Sequence, residues 1–346
     1  MAHFELGLDT FGDITVDNAG RQVSHAQQLR YVLDEAILAD QVGLDAFGVG
    51  EHHRPDFSVS APEVLLAAIA TKTSRIALGS AVTVLSTDDP VRVFQRFSTL
   101  NAVSNGRAEV ILGRGSFTES YPLFGYDLNE YNELFEDKVA LFAELLKGGA
   151  VNWRPAEKGT HHPIRVDGVY PTIESGRLKT WIGVGGSPES VVRAARYGFP
   201  LTLAIIGGSH SRFRPYVDLY LEQLQRFGQA VQPVAVHSPG HIAETDALAR
   251  EQVYPHWAAM MTRIGAERGW PPRSRDDFER EAGPGGALLV GSPDTVAEKI
   301  IRAAKILGAS RFDMKYSNGA LPHALAMKSI ELFGTKVAPA VRAAMA

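Results

Sequence analysis

Leu44-Asp45-Ala46-Phe47-Gly48-Val49-Gly50-Glu51-His52-His53-Arg54 reads as a short buried strand that runs straight into titratable side chains. Near-continuous apolar strands of this kind pair in parallel, with both faces of the sheet covered. In α/β folds built on such sheets, the chemistry collects at the carboxyl ends of the strands. Imidazole exchanges a proton near neutral pH, so Glu51-His52-His53 is the first place to look for a catalytic group. A second pair, His161-His162, lies in a Gly- and Pro-rich stretch that reads as an exposed loop. Position in the fold separates the two pairs.

The same apolar strand signal recurs along the chain. Strands are expected over residues 4–8, 44–49, 75–85, 107–112, 180–184, 201–206, 233–237 and 311–316. Helices are expected between them, over 24–42, 61–73, 90–103, 129–146, 188–197, 212–227, 246–265, 293–307 and 322–344. In the first of these, Leu29, Val32, Leu33, Ala36 and Ile37 fall at helical spacing and Gly43 supplies the stop. Eight strands, each followed by at least one helix, close most simply into a (β/α)8 TIM barrel of α/β class. An open doubly wound sheet has the same rhythm, and the strand count decides for the barrel. Such barrels need about 250 residues, so the excess in this chain reads as inserted segments at about 148–177 and 265–286 of one domain spanning 1–346.

Composition narrows the function. Of 346 residues, 35 are basic and 39 acidic, without long runs of one sign, so neither nucleic acid nor a membrane surface is an expected partner. The chain has no cysteine, which rules out disulfides, thiolate metal sites and a Cys nucleophile. Met1-Ala2-His3-Phe4-Glu5-Leu6 lacks the basic and apolar regions of a signal peptide, and no apolar run approaches the roughly 20 residues of a membrane span. The expectation is a cytoplasmic enzyme.

Several expected strand ends carry candidate groups: Asp9-Thr10-Phe11, Glu51-His52-His53, Ser86-Thr87-Asp88-Asp89, Arg114-Gly115-Ser116, Gly185-Gly186-Ser187, His210, His237 with His241, and Ser317-Asn318-Gly319. Gly183-Val184-Gly185-Gly186-Ser187-Pro188-Glu189-Ser190 passes from strand to helix, and a helix start of this make-up favours an anion through its N–H groups and dipole. It also reads as a well-capped helix and nothing more. Gly291-Ser292-Pro293-Asp294-Thr295 is a near-copy, and both cannot hold one phosphate. Arg114 between two glycines suits bidentate recognition of phosphate or carboxylate, or else a rim ion pair with Asp88, Asp89 or Glu51. His52 and His53, adjacent in extended chain, should point to opposite sides. Such neighbours chelate a metal poorly, so a metal hydrolase would need further ligands such as His237 and His241; no metal is expected.

Taken in order, these segments resemble the bacterial luciferase-like flavin monooxygenases. The resemblance rests on Val49-Gly50-Glu51-His52-His53, on Ser80-Ala81-Val82-Thr83-Val84-Leu85 followed by Asp89-Pro90-Val91-Arg92, and on Ser104-Asn105-Gly106-Arg107. It continues through Gly113-Arg114-Gly115, the Gly185–Ser190 segment, Leu289-Val290-Gly291-Ser292-Pro293 and Gly319-Ala320-Leu321-Pro322-His323. It implies that His52, in the catalytic unit with Glu51, sits beside the isoalloxazine as a base. It implies a non-prolyl cis peptide at Ser80–Ala81 under the ring, and Arg114 gripping the flavin. Gly185, Gly186, Ser187 and Ser190 would surround its phosphate, leaving the Gly291 copy as the plain cap.

The implied activity is a two-component monooxygenase: reduced FMN supplied by a separate flavin reductase, O2, and a small organic substrate such as an aldehyde or ketone. Alternatives within the same likeness are an F420-dependent hydride-transfer enzyme and a flavin-binding protein without turnover. The acidic residue that luciferases place before the phosphate serine is Gly186 here, and their His before Pro-Val-Arg is Asp89, so light emission is not implied. A homodimer is expected through helices 61–73 and 90–103, which match the family's subunit contact. Trp153, His161, His162, Tyr170 and Trp270 of the inserted segments are candidates to line or merely cover the substrate pocket.

Overall fold

The computed structural model of the chain describes residues 3–17, 19–115, 117–155, 162–173 and 177–346. In chain order its strands are β1 Glu5–Thr10, β2 Ala46–Val49, β3 Ala77–Val84, β4 Ala108–Gly113, β5 Val151–Trp153, β6 Ile164–Val166, β7 Lys179–Val184, β8 Leu201–Ala204, β9 Val234–Ile242, β10 Leu289–Gly291 and β11 Arg311–Lys315. Parallel pairing runs β1-β2-β3-β4-β7-β8-β9-β11 and returns to β1. The eight strands close into the expected (β/α)8 barrel.

The helices Pro90–Val103, Pro188–Tyr197 and Pro293–Leu307 have the bounds that their Pro starts predict. The apolar core lies between the outer face of the barrel and its helices. Leu6, Leu8, Phe47, Val49, Leu78, Val110 and Leu112 meet Ala36, Leu66, Phe94 and Phe97 there, all buried. Alternate residues of the same strands point into the lumen, where the filling is different. Arg311 donates to both oxygens of Asp313 at 2.9 Å and to Glu109 at 2.6 Å, and the Trp181 indole donates to Glu109 at 3.2 Å. A side chain at Gly7 would strike Asp313, its Cβ falling 2.0 Å from Oδ1, so a glycine is what admits this buried carboxylate. Above the charged layer lies a small apolar patch of Ala81, Ile111, Trp181 and Ala235, with Val82.

The inserted segments have more structure than composition suggests. In the first, β5 and β6 pair as an antiparallel hairpin; residues 156–161, including His161, lie outside the described residues. In the second, helix Asp246–Arg268 runs on three residues past 265, and a further helix, Arg275–Ala282, opens with a capping box between Ser274 and Asp277. The last expected helix is divided into His323–Leu332 and Ala338–Met345 by a π-helical turn, Phe333–Val337. Gly334 in that turn packs against Val42; a Cβ would come within 2.2 Å of Val42 Cγ2.

Candidate active site

His52 and His53 diverge, as adjacent residues of an extended chain must. The His52 ring stacks on Phe57 (4.5 Å between centroids) and meets the edges of Phe11 (4.8 Å) and Phe117 (4.7 Å). Its Nδ1 lies 3.2 Å from Glu119 Oε1. Burial raises the Glu119 carboxyl, but the interactions with His52 and the hydrogen bonds from backbone N–H groups together outweigh it and leave the group below the usual carboxylate range. An ionised Glu119 accepts the Nδ1 proton, so the proton-accepting lone pair of a neutral His52 is on Nε2. Glu119 escaped the sequence reading because it belongs to a short helix region, Ser120–Phe124, that no apolar period announces. Its only signal is an acid five residues beyond Arg114.

His53 turns the other way, its Nε2 2.8 Å from Glu51 Oε1 and its ring edge-on to Phe124. The second oxygen of Glu51 accepts the backbone N–H of Val84 at 3.1 Å. Glu51 therefore ties the end of β3 to the His-His segment. Over this segment reaches the end of helix Asp246–Arg268: Arg54 bonds Glu267 at 2.5 and 2.8 Å, Arg263 bonds Asp56 at 2.7 Å, and the Arg268 guanidinium lies over the Phe117 ring. Tyr170 and Trp270, candidates to line or merely cover the pocket, are exposed.

The non-prolyl cis peptide is present one residue beyond the expected place, at Ala81–Val82 and not Ser80–Ala81. Register accounts for the difference: the β3–β4 pairing slips between Ala81 and Thr83, so the irregularity straddles Val82. Ser80 is fully buried and accepts from Thr83 Oγ1 at 2.8 Å, within the wall, while Ala81 belongs to the lumen patch.

At the end of β7 the glycines turn the chain into helix Pro188–Tyr197. Gly186 has φ +126°, open to glycine, and its carbonyl accepts from the Tyr216 hydroxyl at 2.9 Å. A Cβ on Gly185 would meet no atom within 4 Å. Ser187 occupies the N-cap position but makes no cap bond to the helix backbone; its hydroxyl donates to Glu189 at 2.7 Å. That bond, together with the nearby positive charge of Arg114 and Arg193, holds the exposed Glu189 carboxyl below its ordinary range. Arg114 itself bonds Asn132 at 2.7 Å and lies over the Tyr131 ring. It makes no rim ion pair with Asp88, which instead bonds Arg96. Ser190 is buried and accepts from Arg193 at 3.3 Å. Arg114, Ser187 and Ser190 are thus gathered around one helix start.

Of the remaining candidates, His237 Nδ1 lies 2.6 Å from Asp9 Oδ2, His241 Nε2 bonds Gln252 at 2.8 Å, and His210 Nε2 lies 3.0 Å from Ser238 Oγ. Ser317 bonds Asp13 at 2.5 Å beside Lys315. Among the described residues no three His, Cys, Asp or Glu side chains are grouped to hold a metal ion, and no helix is long and apolar enough to cross a membrane.

The luciferase-like monooxygenase family profile matches residues 10–310, and the chain belongs to that family. It is 24% identical to the alkanal monooxygenase alpha chain of Photorhabdus luminescens, over 68% of this chain and 64% of that protein, a little under two thirds of the relative's length. Its fold is that of the monooxygenase RslO1 from Streptomyces bottropensis (TM-score 0.82, 22% identity, 97% and 99% of the two chains). The oxygenating constituent of 3,6-diketocamphane monooxygenase from Pseudomonas putida, solved with FMN, matches at TM-score 0.76, 19% identity and 98% and 99% coverage. An F420-dependent secondary alcohol dehydrogenase matches equally well, at TM-score 0.76, 16% identity and 98% and 99% coverage. Neighbours of this fold therefore bind FMN or F420.

Proposed function

We propose that the protein is an FMN-dependent monooxygenase that uses reduced flavin from a separate reductase, and O2, to oxygenate a small organic substrate. The observation that carries this reading is the start of helix Pro188–Tyr197: an N-cap serine with no cap bond, an open glycine and a nearby arginine. Helix N–H groups and an arginine together make a phosphate seat, and a ligand tethered there reaches across the mouth. The residues fit FMN: Gly185, Gly186, Ser187 and Arg114 would hold its phosphate end, with Ser190 beneath them bonded to Arg193. Ala81 and the lumen patch would supply apolar contact for its ring. When bound, the flavin supplies the electrons and the site of oxygen activation.

The chain's own part is to orient, to exclude water and to move a proton. Phe11, Phe57 and Phe117 surround His52 with apolar rings, and Glu119 fixes its Nδ1, so the proton passes at Nε2. Glu51, with both oxygens committed to His53 and Val84, positions the segment instead of reacting. A single domain, a homodimer and a cytoplasmic location belong to the same reading.

Anaerobic titration with reduced FMN, then admission of isotopically labelled O2 with a panel of aldehydes and ketones, tests it. Saturable binding and one labelled oxygen in product are expected. His52→Ala should keep the affinity for reduced FMN and lose on the order of 100-fold in turnover, the worth of a positioned proton-transfer group. Binding of F420 in preference to FMN would transfer the site to hydride transfer, and binding without product from any substrate would leave flavin carriage.

A further inference from the structure

Most arginines near the carboxyl end of the barrel are spent on acids. Arg54 bonds Glu267, Arg263 bonds Asp56, and Arg96 bonds Asp88. Beside the Ser187 helix start, Arg193 and Arg196 share the Glu136 carboxylate at 2.6 and 2.7 Å. Arg114 differs. Its guanidinium donates to the side-chain oxygen of Asn132 at 2.7 Å and lies 4.8 Å from the centroid of the Tyr131 ring. Among the described residues its guanidinium contacts are these two, and neither is charged.

The chain holds Arg114 in this setting from several sides. β4 and β7 pair in parallel, with Leu112 against Ile182, so Arg114 emerges beside the Gly185–Ser187 turn. The Tyr121 hydroxyl donates to the Arg114 carbonyl at 3.2 Å, and the Tyr131 hydroxyl to the Gly115 carbonyl at 2.9 Å. Asn132 and Glu136 stand one turn apart on the same side of helix Tyr131–Leu145. One helix therefore offers an amide to Arg114 and a carboxylate to Arg193.

The two acceptors do different things to an arginine. A carboxylate can take two guanidinium N–H groups at once and offsets the charge, whereas an amide oxygen accepts a hydrogen bond and offsets none of it. Arg193, its charge met by Glu136, props Ser190 at 3.3 Å. Arg114 keeps its charge and most of its donors for another acceptor. The exposed Glu189 carboxyl registers that charge: after the hydrogen bond from Ser187, Arg114 is among the groups that hold it low.

Resting on the FMN reading above, we propose that Asn132 is a positioning residue of the phosphate seat, which orients Arg114 without neutralising it, so that the seat selects a cofactor by the charge of its phosphate end. A carboxylate in place of the amide would keep the contact and spend the arginine.

Anaerobic equilibrium titrations of the whole protein with reduced FMN and with reduced riboflavin, which lacks the phosphate, provide the test. The wild type should prefer FMN. Asn132 is exposed on the first turn of its helix, so substitutions there leave the core untouched. Asn132→Asp should cut the preference for FMN about tenfold, the worth of a charge-assisted hydrogen bond, and hold riboflavin within about twofold. Asn132→Ala, which removes the orienting acceptor and adds no charge, should lose only about threefold. A preference unchanged in Asn132→Asp, or lost equally in the two variants, would overturn the proposal; a loss of FMN affinity in Arg114→Ala in the same assay would then show that the seat stands without it. A parallel loss of both affinities in Asn132→Asp would overturn it too, by showing a structural role. A wild type that binds neither flavin, or both alike, would sink the seat reading and this inference together.

Discussion

Two helices in this chain begin with nearly the same words, Gly186-Ser187-Pro188-Glu189 and Gly291-Ser292-Pro293-Asp294, and they end up as different objects. At the second, Ser292 Oγ caps the Thr295 N–H, and the Asp246 carboxylate accepts from the Ser292 N–H at 2.6 Å and from the Thr295 hydroxyl at 3.0 Å. That helix start is already satisfied by an anion of its own chain. At the first, the serine makes no cap bond, the carboxylate leaning on it belongs to an exposed Glu189, and Gly185 faces empty space. A helix start is left open to a ligand by what the rest of the fold withholds from it.

The contrast can be broken by substitution on either side. The largest effect is expected from Arg114→Ala, which removes the charged partner of the open start: FMN affinity should fall roughly tenfold to a hundredfold, the worth of a charge-assisted hydrogen bond, with thermal stability unmoved. Equal affinity in the variant would take Arg114 out of the site. Next comes a paired comparison of alanines. At Gly291 a Cβ would lie 2.7 Å from Asp246 Oδ1 and 2.8 Å from Thr295 Cγ2, so Gly291→Ala should cost about 2 kcal/mol of unfolding free energy in urea and spare flavin binding. Gly185→Ala should do the reverse, staying within about 0.5 kcal/mol of wild type while weakening FMN. If both variants lose stability and neither loses ligand, the two starts are equivalent and the proposed seat is gone. The smallest effect separates the serines. Ser292→Ala should cost about 1 kcal/mol as a lost cap, and Ser187→Ala nothing in chemical denaturation, because it caps nothing.

Legibility followed the range of the interactions. Three helices begin with Pro after Asp or Ser, local signals that fix a start to the residue, and those bounds agree with the structure. Eight apolar runs sufficed for the closed barrel because strand count and parallel pairing leave few alternatives. The divergence of His52 and His53 needed only the alternation of an extended chain. What the sequence did not disclose depends on partners far along the chain: Glu119 on His52, Asp9 on His237, and Asp246 deciding which of two similar helix starts stays open. The displaced cis peptide belongs with these, since its place follows a register slip between β3 and β4 that neither strand shows alone. Helix Arg275–Ala282 is a different case: Ser274 and Asp277 spell its capping box, but at eight residues between Gly- and Pro-rich stretches it is too short to show a clear apolar period.

The two faces of the barrel wall answer to different demands. Leu6, Leu8, Val110 and Phe312 turn outward into the helices and hold the molecule together, while Asp9, Glu109, Arg311 and Asp313 of the same strands turn inward and hold very little apolar surface. Cohesion and reactivity are thereby assigned to alternate letters of one text. A lineage could rewrite the inward letters for a new substrate while the outward ones kept the scaffold standing.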